Sequence, residues 1–140
     1  MYSAAWKLEL SREIGRADTV NFSATIRQAG QISLVEVHGH LTILEVGALC
    51  ESIETLLKQN RKNIVLNLSG LRYLDSSGIG ELARIYTTVL KRGGELKVIG
   101  LASRVQEVLK ITGLYQVFAE FPDEQSALQS FSEPRGGKPK

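Results

Sequence analysis

Asp75-Ser76-Ser77-Gly78 sets an acidic residue, two hydroxyls and a glycine where an apolar strand hands over to an amphipathic helix. Ile64, Val65, Leu66 and Leu68 form a nearly continuous apolar run, the pattern of a strand covered on both faces. After Gly78, the residues Ile79, Leu82, Ala83, Tyr86, Val89 and Leu90 recur at threes and fours, one face of a helix. A helix start presents N–H groups without intrahelical acceptors and a partial positive charge of about half a unit, so a phosphoryl group on a serine there is favourably placed. Phosphoserine adds about 1.5 to 2 negative charges and three acceptor oxygens, enough to disrupt an interface by desolvation and by repulsion from an acidic neighbour such as Asp75. A helix start is also a rigid pedestal, and Gly78 and Gly80 leave room for another protein's backbone. The plainer reading of the same residues is that Asp75 or Ser76 only caps the helix.

Other chemistries fit these residues poorly. A serine nucleophile needs a base, and the two histidines, His38 and His40, come without a Gly-x-Ser-x-Gly elbow around Ser76 or Ser77. Two imidazoles without a third evident ligand make a poor metal site, and the pair reads as surface residues beside a Gly39 turn. Gly78-Ile79-Gly80-Glu81-Leu82-Ala83 matches Gly-x-Gly-x-x-Ala formally, but the glycines follow the strand too late and no acidic residue ends the next strand near Ile99. No Walker-type Gly-Lys-Ser/Thr sequence is present, so no nucleotide cofactor is implied. The single cysteine excludes an internal disulfide and a thiolate zinc site; Cys50 falls on the repeat Val46, Leu49, Cys50, Ile53, Leu57 and reads as a buried helix residue. The net charge of +2 hints at nucleic acid until it is located. Between Phe22 and Phe131 eleven basic residues face eleven acidic ones, and the surplus lies in the two ends, so a basic groove is unsupported.

The stretch from Val65 to Ala83, with Asn67, the Leu-Asp-Ser-Ser-Gly core at Leu74 to Gly78, and the helix ending in Lys91-Arg92-Gly93-Gly94, resembles the STAS domain family. Within it the chain looks most like the bacterial anti-sigma factor antagonists. The likeness takes in Ile32 to Leu41 upstream, and Glu95 to Gly100, Ala102 to Thr112 and Thr112 to Phe118 downstream. The resemblance implies that Ser76 is phosphorylated by a dedicated serine kinase, itself the anti-sigma factor, and regenerated by a metal-dependent serine phosphatase. It implies a binding module and not an enzyme, with a partner surface of Asp75, Ser77, Gly78 and Ile79 together with the loop His40, Leu41 and Thr42. Where the family's first loop often reads Gly-Glu-Leu-Asp, this chain has Gly39-His40-Leu41-Thr42, without the acidic residues. A competing reading is a STAS scaffold that is never phosphorylated and helps assemble a stress-signalling or lipid-transport complex.

These residues need a scaffold, and the rest of the chain supplies one. With 43% hydrophobic residues in 140, one buried core is possible. No run approaches the ~20 apolar residues of a membrane span and no signal peptide is visible, so a cytoplasmic location is expected. Tyr2, Ala4, Trp6, Leu8 and Leu10 alternate with mostly polar residues, which suggests a strand that extends the sheet edge or pairs two copies in a homodimer; a frayed leader is the alternative. Residues 1–20 are thus read as an extension, 21–131 as the STAS-like domain, and 132–140, rich in proline and glycine, as a disordered tail. Val20, Phe22, Ala24 and Ile26 alternate into a turn at Ala29-Gly30-Gln31 and a second strand at Ile32 to Val37. Helices are expected from about Glu45 to Gln59, Ser77 to Lys91, Ala102 to Thr112 and from Asp123 to Phe131. Strands are expected at Ile64 to Leu68, Leu96 to Ile99 and Val117 to Phe121. The fold class is therefore α/β: a mixed, mostly parallel sheet of four to five strands packed by about four helices, plus an N-terminal strand.

Overall fold

Sequence-local rules account for most of the architecture seen in the structure, a computed structural model that describes residues 22–45 and 47–131. The proposed N-terminal strand and the tail lie outside the described residues. The elements are β1 (Phe22–Ala29), β2 (Ile32–Leu41), α1 (Ala48–Lys58), β3 (Asn63–Leu74), α2 (Ser76–Lys91), β4 (Glu95–Ile99), α3 (Ser103–Thr112), β5 (Ala119–Phe121) and α4 (Glu124–Ser130). The strands lie in the order β1-β2-β3-β4-β5. Only β1 and β2 are antiparallel, because two residues join them, with Gly30 supplying the positive φ of 63° that such a turn requires. Every later strand follows a helix and pairs in parallel.

The apolar run of β3 is covered on both faces. Ile64, Leu66 and Leu68 join Val35 and Val37 of β2 in the larger core, with Leu49, Ile53 and Leu57 of α1, Leu82, Ile85 and Val89 of α2, and Val105 and Leu109 of α3. Val65 faces the other way and meets Leu34, Ile99 and Ala127 under the short helix α4. Each buried Leu or Ile of this set contributes about 1.5–3 kcal/mol through removal from water, so β3 is the element the fold can least spare. On the α4 side, Lys97 lies over the rings of Phe121 and Phe131, at 5.5 and 5.0 Å, which holds the end of a helix only seven residues long.

Four boundaries differ from the sequence reading, and each has a local cause. The strand β3 does not stop at Leu68 but runs to Leu74; it pairs with β4 only over Asn63–Asn67 and with β2 much further, through register shifts between Glu36 and His38 and between Gly39 and His40. Those irregularities space Leu68, Leu71 and Leu74 by threes, which hides the two-residue period. Gly39 is accordingly not a turn but an irregular position inside β2, with φ 98°. Helix α1 begins at Ala48 rather than Glu45, because Gly47 at φ 98° separates it from a turn at residues 42–45. The last strand keeps only Ala119–Phe121, since the Val117 N–H is bonded to the Leu114 carbonyl in the preceding turn.

Candidate functional site

Ser76 is the first residue of α2, and Asp75 before it is the N-cap. The extended backbone of Asp75 (φ −108°) aims one carboxylate oxygen at the N–H of Gly78, at 3.1 Å. The other oxygen accepts the N–H of Ile43 at 3.2 Å, across from the β2–α1 connection. The Asp75 N–H in turn donates to the Leu41 carbonyl at 3.3 Å. Asp75 is thus a cap and a clasp at once: one acidic side chain satisfies the start of α2 and fastens the neighbouring loop to it.

The clasp is possible because position 78 is glycine. A Cβ there would collide with the Leu41 carbonyl, so α2 approaches β2 at the one place where its first turn carries no side chain. Gly78 and Leu41 are both buried, and the missing side chain of Gly78 serves this internal contact rather than the approach of a partner. Gly80, in contrast, is exposed with open space above it. Ile79 is half-buried against the larger core and Ser77 is half-buried. Of the seven residues expected to form the partner surface, His40 is exposed and Asp75, Thr42, Ser77 and Ile79 are part-exposed, while Leu41 and Gly78 lie underneath.

Ser76 is exposed, and among the described residues its hydroxyl has no hydrogen-bond partner. No acidic side chain lies in the first turn of α2, and the helix offers no acceptor to the N–H groups of Ser76 and Ser77. A phosphoryl group on Ser76 would meet the positive end of a 16-residue helix, with Asp75 the adjacent negative charge.

Around the serine the structure shows three exposed residues that the sequence reading missed. Ile43 and Leu44 are 62% and 74% exposed at the tip of the β2–α1 connection, and Tyr73 is 49% exposed at the end of β3. Tyr73 and His40 pack edge to face, with ring centroids 5.9 Å apart. The connection is shaped by Thr42 and Glu45: the buried Glu45 carboxylate accepts both the N–H of Thr42, at 3.1 Å, and its hydroxyl, at 2.6 Å. Thr42 and Glu45 thus close a single turn like half of a capping box: the carboxylate takes the Thr42 N–H, while Thr42 Oγ1 accepts the N–H of Leu44 and the Glu45 N–H goes to the Thr42 carbonyl. At position 42 a threonine hydroxyl, without charge, takes part in the bonds that shape this turn. His38 sits apart from this group, exposed and 3.9 Å from the Glu36 carboxylate, and among the described residues no cluster of three metal-ligating side chains occurs.

Cys50 lies in the first turn of α1 and is buried. Burial pushes its thiol up from the ordinary value, with Glu54 and Glu81 adding to the shift, the direction opposite to that of an activated thiol.

A model of the STAS domain family matches residues 23–127. The chain belongs to the STAS domain family. It is 31% identical over 75 residues to the anti-sigma F factor antagonist of Paenibacillus polymyxa, a match covering 54% of this chain and 64% of that relative. The chain thus spans just under two thirds of that relative's length. Among solved structures, an anti-sigma factor antagonist from Mycobacterium paratuberculosis superposes with a TM-score of 0.72 at 23% identity, covering 84% of this chain and 98% of its own. The phosphorylated form of the Bacillus cell fate determinant SpoIIAA superposes with a TM-score of 0.62 at 18% identity, covering 78% and 99%. These neighbours share the α/β fold of a mixed sheet packed by helices. No helix of the described residues is long and apolar enough to cross a membrane.

Proposed function

We propose that this STAS protein is an anti-sigma factor antagonist that captures an anti-sigma factor serine kinase and is switched off when that kinase phosphorylates Ser76. The observation that carries the reading is the exposed Ser76 at the first position of α2, held on a rigid cap and beside the exposed pair Ile43 and Leu44. The names of the Paenibacillus and Mycobacterium proteins support it, as does the phosphorylated state of the Bacillus neighbour. The unmodified chain offers its partner an apolar loop flanked by a neutral hydroxyl. Phosphate places a dianion at the rim of that apolar contact, where docking would have to desolvate it beside Asp75. A metal-dependent serine phosphatase restores the capturing form. The chain carries out no catalysis of its own in this scheme; His40, Thr42, Ile43, Leu44, Tyr73, Ser77 and Ile79 form the contact surface, and Asp75 organises it.

The test is mass spectrometry of the protein from its native host in growth and under stress, joined to binding by variants. Phosphate mapped to Ser76 with changing occupancy is expected, with Ser76→Asp weakening capture of the kinase and Ser76→Ala retaining it. Equal capture by both variants, with Ser76 unmodified in every condition, would leave a STAS scaffold that assembles a complex without a phosphate cycle.

A further inference from the structure

Glu81 is a carboxylate without a role in the scheme above. It is wholly buried where α2 packs on α1, and its Oε2 accepts the backbone N–H of Cys50 at 2.8 Å. Its Oε1 is buried with no hydrogen-bond partner among the described residues. Cys50 belongs to the first turn of α1, whose N-cap is Gly47, a residue with no side chain to offer. Glu81 therefore supplies from the neighbouring helix the acceptor that α1 lacks at its own start. A desolvated carboxylate with one oxygen unpaired is a costly way to satisfy one amide, and an apolar side chain of similar volume often serves stability as well or better. Stability is thus a poor reason for this residue.

Position is a better one. Glu81 sits on α2 six residues after Asp75. Asp75 holds the near end of the β2–α1 connection through the Ile43 N–H, and Glu81 holds the far end through the Cys50 N–H. The exposed Ile43 is the near attachment itself and the exposed Leu44 follows it, so the tip lies within the span that the two carboxylates hold. We propose that Glu81 is a positioning residue for the switch surface, fixing the start of α1 and with it the Ile43–Leu44 tip against the helix that carries Ser76. The proposal rests on the reading of Ser76 as the switch, and it adds that the partner reads a geometry set from inside the molecule.

The experiment is amide hydrogen exchange and thermal melting of the purified chain carrying Glu81→Leu or Glu81→Gln, with binding to the anti-sigma factor serine kinases purified from the same organism. Glutamine keeps a carbonyl that accepts from Cys50; leucine does not. In the leucine variant, exchange at the Cys50 and Ile43 amides should rise about tenfold or more through local opening while the melting temperature is unchanged or higher. Its capture of the kinase should weaken about tenfold, because the tip must be reordered on binding. The glutamine variant should stay within about threefold of wild type in both. Unchanged exchange in the leucine variant overturns the proposal, and so does a lowered melting temperature with exchange raised throughout the chain, which would make Glu81 a plain structural residue. A leucine variant that does not fold overturns it in the same way, and so does equal loss of capture in the glutamine variant with wild-type exchange. A chain that captures none of the kinases in any form refutes the switch reading instead, while exchange at Cys50 still decides whether Glu81 holds the loop.

Discussion

The two helices that meet beside Ser76 begin in opposite ways. Helix α2 is capped by the residue directly before it, whose carboxylate reaches three positions along the chain to Gly78. Helix α1 has Gly47 at its N-cap, and its Cys50 N–H finds an acceptor in Glu81, 31 positions further along on the other helix. A local cap forms as soon as the helix forms, whereas the long-range one exists only when both helices are docked. The start of α2 is therefore a fixed pedestal for a serine, and the start of α1, with the loop ahead of it, takes its position from α2.

The most direct way to break this arrangement is Gly78→Ala. Its Cβ has nowhere to go but into the Leu41 carbonyl, so a loss of about 3 kcal/mol is expected in chemical denaturation. A loss below about 1 kcal/mol would show that the two segments separate freely. Asp75→Ala should cost less, about 1–2 kcal/mol, since it removes a cap and leaves Ile43 without its acceptor. Asp75→Asn keeps an oxygen for capping, so it should recover most of that loss; equal destabilisation by both would mean that the charge, rather than the hydrogen bonds, does the holding. Replacing Ile43 and Leu44 together by serine should leave stability within about 0.5 kcal/mol, as both are exposed, while capture of the kinase falls; unchanged capture would place the contact elsewhere.

The smallest effect concerns a local cap far from the serine. The Asp123 carboxyl accepts the Ser126 N–H at 2.8 Å, and that bond, with the Ser126 side chain, holds it below its ordinary value of 3.8. A depressed folded value contributes stability that is present above the unfolded value and is lost as pH falls through the folded one. Asp123→Asn should therefore lower stability slightly at neutral pH and flatten the acid limb of the stability profile below about pH 4, where the two chains converge. An unaltered acid limb would show that other carboxylates set it.

What the sequence revealed follows the same division. The α/β class, the hairpin at Gly30, the buried strand at Ile64 to Leu68 and the serine at a helix start all come from patterns within a few residues of one another. The one-turn box of Thr42 and Glu45 was equally local, but it reads as a helix start, and only the left-handed Gly47 shows that the turn ends there. The clasp of Asp75 on Ile43, the collision space of Gly78 and the carboxylate of Glu81 were not legible, because each joins residues about 30 or more positions apart that only the pairing of β2 with β3 and the packing of α2 on α1 bring together. Glu81 is instructive here: on the helical repeat it is one polar residue beside Leu82, and nothing nearby marks it as buried.

The turn at residues 42–45 closes on itself through Thr42 and Glu45, and its two outward side chains touch neither of those bonds. Ile43 and Leu44 can then be exchanged for other pairs while the scaffold beneath stays as it is. Under the proposed switch, partner choice could then be retuned at two side chains without any change to the serine or its helix.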